Sequence, residues 1–134
     1  MRFIFLLIAI IIGVLLFVTT IEAEAPTTVL PDVTPCDHYK QLIRQYDWND
    51  EVAISIMLAE SSCDPLIVND NPATKDYSVG LFQVNLYGAN AKYRPSEEEL
   101  KDPKKNIEFA YNLWKSSGFQ SQWGVCRRNV SCYN

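Results

Sequence analysis

The chain has 134 residues, a formal net charge of −4 and four cysteines. This length allows one folded domain and is too short for two domains of ordinary size. The small negative charge, without any cluster of basic residues, excludes a typical nucleic-acid-binding protein.

Residues 1–25 have the layout of a secretory signal peptide. Arg2 supplies a positive charge, residues 3–18 are almost entirely apolar, and residues 19–25 are small or polar. This order is typical of an export signal, although Pro26 is unfavourable directly after a cleavage site. A retained anchor is the alternative, because the apolar run is only slightly shorter than the about 20 residues that span a bilayer. Both readings predict an extracytoplasmic protein, secreted or periplasmic, with removal favoured and membrane contact only through this segment.

Residues 26–35 contain three prolines and are predicted to form a linker. The folded domain is therefore expected at residues 36–134. All four cysteines lie in it, and an even number in an exported domain indicates two disulfides. No two cysteines have the Cys-x-x-Cys spacing of a metal or redox site, and His38 is the only histidine. We therefore expect no bound metal and no cofactor, and we expect His38 to lie at the surface.

Two helices are predicted near the start of this domain. Apolar residues at helical spacing mark the first, from Cys36 to Tyr46. Asn49 or Asp50 can cap the second, and Pro65 lies beyond its end. The apolar stripe of the second helix consists of Val52, Ala53, Ile56 and Met57.

The middle of the domain is predicted to be rich in loops. Residues 64–79 read as a long loop or a poorly formed hairpin, residues 79–85 as a strand-like stretch or a short helix, and residues 87–95 as another loop. A third helix begins after Asp102, with Pro103 in its first turn, and ends at Gly118 before an irregular tail. The fold class is therefore mainly α, with a loop-rich or short β segment in the middle.

Glu60 continues the apolar stripe of the second helix. Ile56 and Met57 lie one turn before it on the same face, so desolvation would raise the pKa of its carboxyl. A carboxylic acid that stays protonated near neutral pH can donate a proton to a glycosidic oxygen. Helix position alone, however, favours an ordinary surface glutamate.

Three short motifs then follow one another at compatible spacings. Glu60-Ser61 lies at a helix end, Gly80-Leu81-Phe82-Gln83 follows a loop, and Asn106-Ile107 lies in the third helix. This set resembles the lysozyme-like superfamily, most closely the soluble lytic transglycosylase-like domains of bacteria and phages. The resemblance covers residues 50–117 and implies a small α+β lysozyme-like fold.

The resemblance also implies roles for the matching residues. Glu60 would be the general acid and base. Gln83 and Asn85 would line the cleft, where amides can hydrogen-bond sugar hydroxyls and N-acetyl groups. Ser78 would point toward the reacting sugar.

Other positions are expected to build the site or to contribute aromatic surface. Gly80 would permit a close backbone approach, Asn106 would be structural, and Leu81 is expected in the core. Many members carry an Ala-Tyr-Asn-Ala-Gly segment with an active-site tyrosine, which this chain lacks. Tyr111 is retained as a candidate substrate-binding residue. Three further aromatic residues could equally stack on sugars or belong to the core: Tyr87, Trp123 and Tyr133.

The implied activity is cleavage of peptidoglycan by a monomeric enzyme. Chicken-type lysozymes carry a second carboxylate two residues before the glycine of a similar motif, and that position is Ser78 here. With Glu60 as the one firmly assigned carboxylate, we predict a lytic transglycosylase that forms 1,6-anhydro ends. A hydrolytic lysozyme is the alternative, with Asp76 or Asp70 as the second carboxylate. A non-catalytic glycan-binding module, or a structural part of an export machine or virion, is a third reading, which the presence of Glu60 disfavours.

For the disulfides, a lysozyme-like domain suggests that the C-terminal tail is pinned over the N-terminal helices. This predicts the pairs Cys36–Cys132 and Cys63–Cys126. The alternative is Cys36–Cys63 with Cys126–Cys132, which would staple the tail to itself.

Overall fold

The computed structural model describes residues 34–128 and Cys132. The predicted signal peptide, nearly all of the linker and Tyr133 lie outside the described residues. Within these residues, 3-10 helices lie at Pro35–Tyr39 and Ala91–Tyr93. The α-helices are α1 (Lys40–Ile43), α2 (Asp50–Ser61), α3 (Glu97–Lys101), α4 (Pro103–Ser117), α5 (Phe119–Gln122) and α6 (Val125–Arg128). The strands are β1 (Val68–Asn71), β2 (Asp76–Val79) and β3 (Val84–Asn85). This architecture confirms the predicted mainly helical α+β class.

Helix α2 agrees with the second predicted helix. The Asn49 side chain accepts a hydrogen bond from the backbone N–H of Val52 at 3.1 Å, which identifies Asn49 as the cap. The helix ends at Ser61, and the next residue, Ser62, has a left-handed φ of +52°. Its inner face is buried through the residues of the predicted stripe, Val52, Ala53, Ile56 and Met57.

The first predicted helix is shorter than expected. Only Lys40–Ile43 is α-helical, after the 3-10 turn. The Trp48 indole N–H donates to the carbonyl oxygen of Ile43 at 3.0 Å. The same carbonyl accepts from the backbone N–H of Tyr46 at 3.3 Å, so the carbonyl at the end of α1 has hydrogen-bond partners although the α-helix does not continue.

The middle segment folds into a three-stranded antiparallel sheet in the order β1-β2-β3. Val68 pairs with Val79 and Asn71 with Asp76, so the hairpin reading of residues 64–79 is the one that holds. Residues 80–83 form a tight turn between β2 and β3, and Ser78 pairs with Asn85.

Helix α4 matches the third predicted helix at both ends. The Asp102 side chain accepts from the N–H of Lys105 at 3.0 Å, and Gly118, with φ +76°, follows the last turn. Helix α3 was not predicted, although Ser96 and Glu99 form a reciprocal capping box at its start. The tail is not irregular throughout, since α5 and α6 occupy part of it.

The core has two parts. The larger packs α2 and α4 around the aromatic side chains of Trp48, Phe82, Phe119 and Trp123, and the smaller lies under the sheet at Val79, Val84 and Leu100. Leu81 is fully buried, as predicted.

The preferred disulfide pairing was wrong. Cys36 pairs with Cys63 and Cys126 with Cys132, with Cα–Cα distances of 5.2 and 5.4 Å. The tail is attached to the turn at residues 80–83 by a non-covalent contact, since Trp123 is buried and its indole N–H donates to the carbonyl of Phe82 at 2.9 Å.

Candidate active site

Glu60 lies in the last turn of α2 and is half-buried. The next residue, Ser61, is only 3% exposed. Its hydroxyl hydrogen-bonds the carbonyl oxygens of Met57 at 3.0 Å and Leu81 at 2.8 Å, and accepts from the N–H of Cys63 at 3.1 Å. The end of the helix that carries Glu60 is therefore tied directly to the turn at residues 80–83. Sequence reasoning did not single out Ser61 as the link, although its place beside Glu60 in the first motif was a usable signal.

The side chain of Asn106 holds the turn at residues 80–83 from the buried side through hydrogen bonds. This side chain is fully buried; its Nδ2 donates to the carbonyls of Val79 at 3.0 Å and Leu100 at 2.8 Å, and its Oδ1 accepts from the N–H of Phe82 at 2.9 Å. A Cβ at Gly80, whose φ is +74°, would overlap the Leu100 carbonyl and the Asn106 amide. The predicted close approach at Gly80 is thus an approach to Asn106, and Asn106 has the structural role expected of it.

One face of the sheet is polar. Because side chains alternate along a strand and paired residues share a face, this polar sheet face consists of Asn69, Asn71, Asp76, Ser78 and Asn85. The Ser78 hydroxyl donates to Asp76 Oδ1, and the Asn69 amide donates to Asp76 Oδ2 at 2.8 Å. Two predicted site residues, Ser78 and Asn85, therefore lie side by side, with Asp76 next to Ser78.

Gln83 and Asn85 are both held by backbone contacts. Gln83 has a left-handed φ of +47°, and its Nε2 donates to the carbonyls of Gly80 at 3.0 Å and Ile67 at 3.4 Å. Asn85 Oδ1 accepts from the N–H of Tyr87 at 2.6 Å. Both amides are half-buried, so their positions are fixed while part of each stays accessible.

Tyr111 does not lie with the other predicted site residues, Ser78, Gln83 and Asn85. Its hydroxyl donates to Asp47 Oδ1 at 2.6 Å, and its ring stacks on Tyr46 with centroids 4.5 Å apart. This hydrogen bond raises the pKa of the Tyr111 hydroxyl and lowers the pKa of the Asp47 carboxyl. Asp47 precedes α2, whereas Glu60 lies at the far end of that helix, about 15 Å along its axis. The Tyr111 hydroxyl is therefore held near the opposite end of α2 from Glu60.

The aromatic candidates Trp123 and Tyr87 differ in their exposure to solvent. Trp123 is 5% exposed and belongs to the core, whereas Tyr87 is 48% exposed just after β3. His38 is exposed, as predicted.

The side chains of the candidate site carry carboxylate, amide and hydroxyl groups. Within residues 34–128 and Cys132, no group of three or more His, Cys, Asp or Glu side chains could hold a metal ion. The same residues contain no helix long and apolar enough to cross a membrane. The two disulfides indicate an extracellular or periplasmic environment.

Residues 47–125 match the model of the protein family described as lysozyme-like domain. No curated protein and no solved structure matches the chain significantly. The matched region includes α2 with Glu60, the whole sheet, the turn at residues 80–83 and α4. This family generally comprises glycosidases and transglycosylases that act on peptidoglycan. Since the match spans more than half of the sequence, the chain belongs to the lysozyme-like domain family.

Proposed function

We propose that the protein is a lytic transglycosylase that cleaves the bond between N-acetylmuramic acid and N-acetylglucosamine in peptidoglycan, with Glu60 as its general acid and base. The main supporting observation is the link from Ser61 to the Leu81 carbonyl, which couples the end of α2 to the turn that follows Ser78. The enzyme would act outside the cytoplasm as a monomer, after removal of residues 1–25. Ser78, Gln83 and Asn85 would contact the glycan.

The proposed reaction needs one carboxyl group. Protonated Glu60 donates its proton to the glycosidic oxygen, the C1–O bond breaks, and the leaving sugar departs as an alcohol. The neighbouring N-acetyl group of the substrate stabilises the positive charge at C1. Ionised Glu60 then takes the proton of the sugar's own 6-hydroxyl while O6 bonds to C1. The product is a 1,6-anhydro sugar, and Glu60 regains its proton.

Mass spectrometry of digested peptidoglycan tests the reaction type. Muropeptides with 1,6-anhydro ends are lighter by one water than hydrolysis products, and we expect them to dominate. The 6-hydroxyl is held in the site at a high effective concentration and should outcompete water. Products carrying reducing ends instead would identify a hydrolase.

Hydrolysis remains the second candidate because Asp76 shares the polar sheet face with Ser78. A two-carboxylate mechanism would require this carboxylate to act on water or on the sugar cation. Loss of activity in Asp76→Asn together with reducing-end products would favour it.

The role of Glu60 is tested by Glu60→Gln. The amide keeps the shape of the side chain but cannot donate and recover a proton, so peptidoglycan cleavage should fall by roughly 10²–10⁴-fold with the fold intact. Glu51→Gln, an exposed glutamate in the first turn of the same helix, is the matched control and should keep full activity. Residual activity of Glu60→Gln above about a tenth would contradict the assignment.

A further inference from the structure

Asp76 has a defined place on the polar sheet face. It lies on β2 two residues before Ser78, and its two carboxylate oxygens accept from different neutral donors, Ser78 Oγ and Asn69 Nδ2. Asn69 is directly opposite Ser78 on β1. Three side chains of one face thus form a chain of hydrogen bonds centred on this carboxylate.

This arrangement fixes the direction of the Ser78 hydroxyl proton. A serine hydroxyl has one proton and two acceptor lone pairs, and an ionised carboxylate can only accept. Ser78 is 5% exposed, so its hydroxyl has few other orientations available. With its proton committed to Asp76, the oxygen offers lone pairs to any further partner.

We propose that Asp76 is a positioning residue that makes Ser78 a hydrogen-bond acceptor for an N–H or O–H group of the bound glycan. The inference rests on the proposed function, because it takes the polar sheet face as a wall of the glycan site. Asp76 itself need not touch the sugar, and it transfers no proton.

The chemistry separates this role from direct catalysis. In Asp76→Asn the new side chain can still accept from Ser78 through its oxygen, while Asn69 can turn its amide to accept from the new N–H. The orientation of Ser78 is then retained although the charge is lost. Asp76→Ala removes the acceptor and frees the Ser78 proton.

The test combines kinetics on purified peptidoglycan with binding of tetra-N-acetylchitotetraose. We expect Asp76→Asn to keep at least half of kcat/KM, and Asp76→Ala and Ser78→Ala each to lose about 3- to 10-fold or more, the size of one neutral hydrogen bond. The double variant Asp76→Ala/Ser78→Ala should be no worse than Ser78→Ala alone, because Asp76 acts through Ser78. Asp70→Ala, on the opposite face of β1, is the control and should match the wild type.

The binding measurement separates this proposal from the proposed reaction. In the Glu60→Gln background, calorimetry should show that Asp76→Ala and Ser78→Ala weaken binding of the tetrasaccharide equally, whatever the product chemistry. Asp76→Asn as inactive as Asp76→Ala, or losses that multiply in the double variant, would overturn the positioning role. Wild-type activity and binding in Asp76→Ala would also overturn it. Asp76→Val, which suits a strand, replaces the alanine variant if that variant melts below the assay temperature. An active Glu60→Gln enzyme would instead refute the proposed function.

Discussion

Asn106 joins two parts of the chain, residues 79–82 around the tight turn and the segment from Leu100 to α4. Its amide satisfies the N–H of Phe82 and the carbonyls of Val79 and Leu100, all in the buried interior. In Asn106→Leu these groups would lose their partner, and each buried unsatisfied group costs about 1–3 kcal/mol. We expect the free energy of unfolding, measured by urea denaturation, to fall by roughly 3–5 kcal/mol. Asn112→Leu, at an exposed position of the same helix, should change it little. A loss below about 1 kcal/mol in Asn106→Leu would contradict this role.

Substitution of Gln83, in contrast to that of Asn106, should reduce activity more than stability. Gln83 is half-buried, and its amide donates to the backbone carbonyls of Gly80 and Ile67, the second of which belongs to an exposed residue. Gln83→Ala should therefore shift the melting temperature by only a few degrees, on the order of 1 kcal/mol. Its cleavage of peptidoglycan should nevertheless fall, because an amide that binds the glycan is lost. If the variant melts early but turns over normally at low temperature, Gln83 is structural.

The candidate site was predicted in part from the sequence. The three motifs identified the end of α2, the turn at residues 80–83 and the buried Asn106, because each is a local pattern with a fixed chemical need. The hydrogen bond between Ser78 and Asp76 was not predicted, since it depends on both residues lying in one strand with the same facing. The sequence of residues 64–79 fits both a long loop and a poorly formed hairpin, so it does not predict toward which face the Asp76 side chain points.

At the scale of elements, the two longest helices of the described residues were predictable at both ends, whereas the short helices were not, even α3 with its capping box. Asn49, Asp102 and Gly118 set the ends of α2 and α4 through local contacts that the sequence displays. The early end of α1 coincides with a hydrogen bond from the side chain of Trp48, whose ring is buried in the core by tertiary packing. Helices α5 and α6 are each only four residues long and therefore too short to show a helical period.

The two disulfides should contribute unequally to stability. Cys36 and Cys63 are 27 residues apart in sequence, and Cys126 and Cys132 are 6 apart. In the loop-entropy model the first bridge stabilises the fold by about 3.5 kcal/mol and the second by about 2 kcal/mol. Denaturant unfolding of Cys36→Ala/Cys63→Ala and Cys126→Ala/Cys132→Ala should show this order. A larger loss from the tail pair would mean that the tail depends on its bridge more than on the burial of Trp123.

For the whole molecule, the surface charges of the described residues favour the folded state over a broad middle range of pH. Several carboxyl groups among these residues have a lowered pKa because they accept hydrogen bonds or form ion pairs. The groups, each with its leading partner, are Asp37 with Lys40, Asp47 with Tyr111, Asp50 with Arg44, Glu97 with Lys101, and Glu99 with Ser96. At the alkaline end, the pKa of Lys101 is raised by its hydrogen bond to Glu97, and that of Tyr77 by its hydrogen bond to the same carboxylate.

These directions determine how stability depends on pH. A lowered carboxyl pKa means that the unfolded chain binds the proton more readily, so the contribution is present above the ordinary values of 3.8 for Asp and 4.5 for Glu. It is lost as the pH falls from those values through the lower folded ones. A raised pKa at Lys101 or Tyr77 gives a contribution that is present below 10.5 or 10.0 and is lost as the pH rises through the folded value. The melting temperature should therefore be highest on a plateau between about pH 5 and 9 and decline on both sides.

The acid decline can be assigned to one contact by removing its donor. Tyr111→Phe keeps the ring stacked on Tyr46 but deletes the hydroxyl that donates to Asp47, and this hydrogen bond is the main reason that the pKa of the Asp47 carboxyl is lowered. The variant should lose a little melting temperature on the plateau and should fall less steeply below about pH 4, because Asp47 then binds a proton almost equally well in the folded and unfolded chains. Tyr93→Phe, at a side chain 76% exposed, is the matched control and should follow the wild-type curve. If the melting temperatures of Tyr111→Phe and the wild type fall equally steeply below about pH 4, the hydrogen bond to Asp47 does not contribute to the pH dependence.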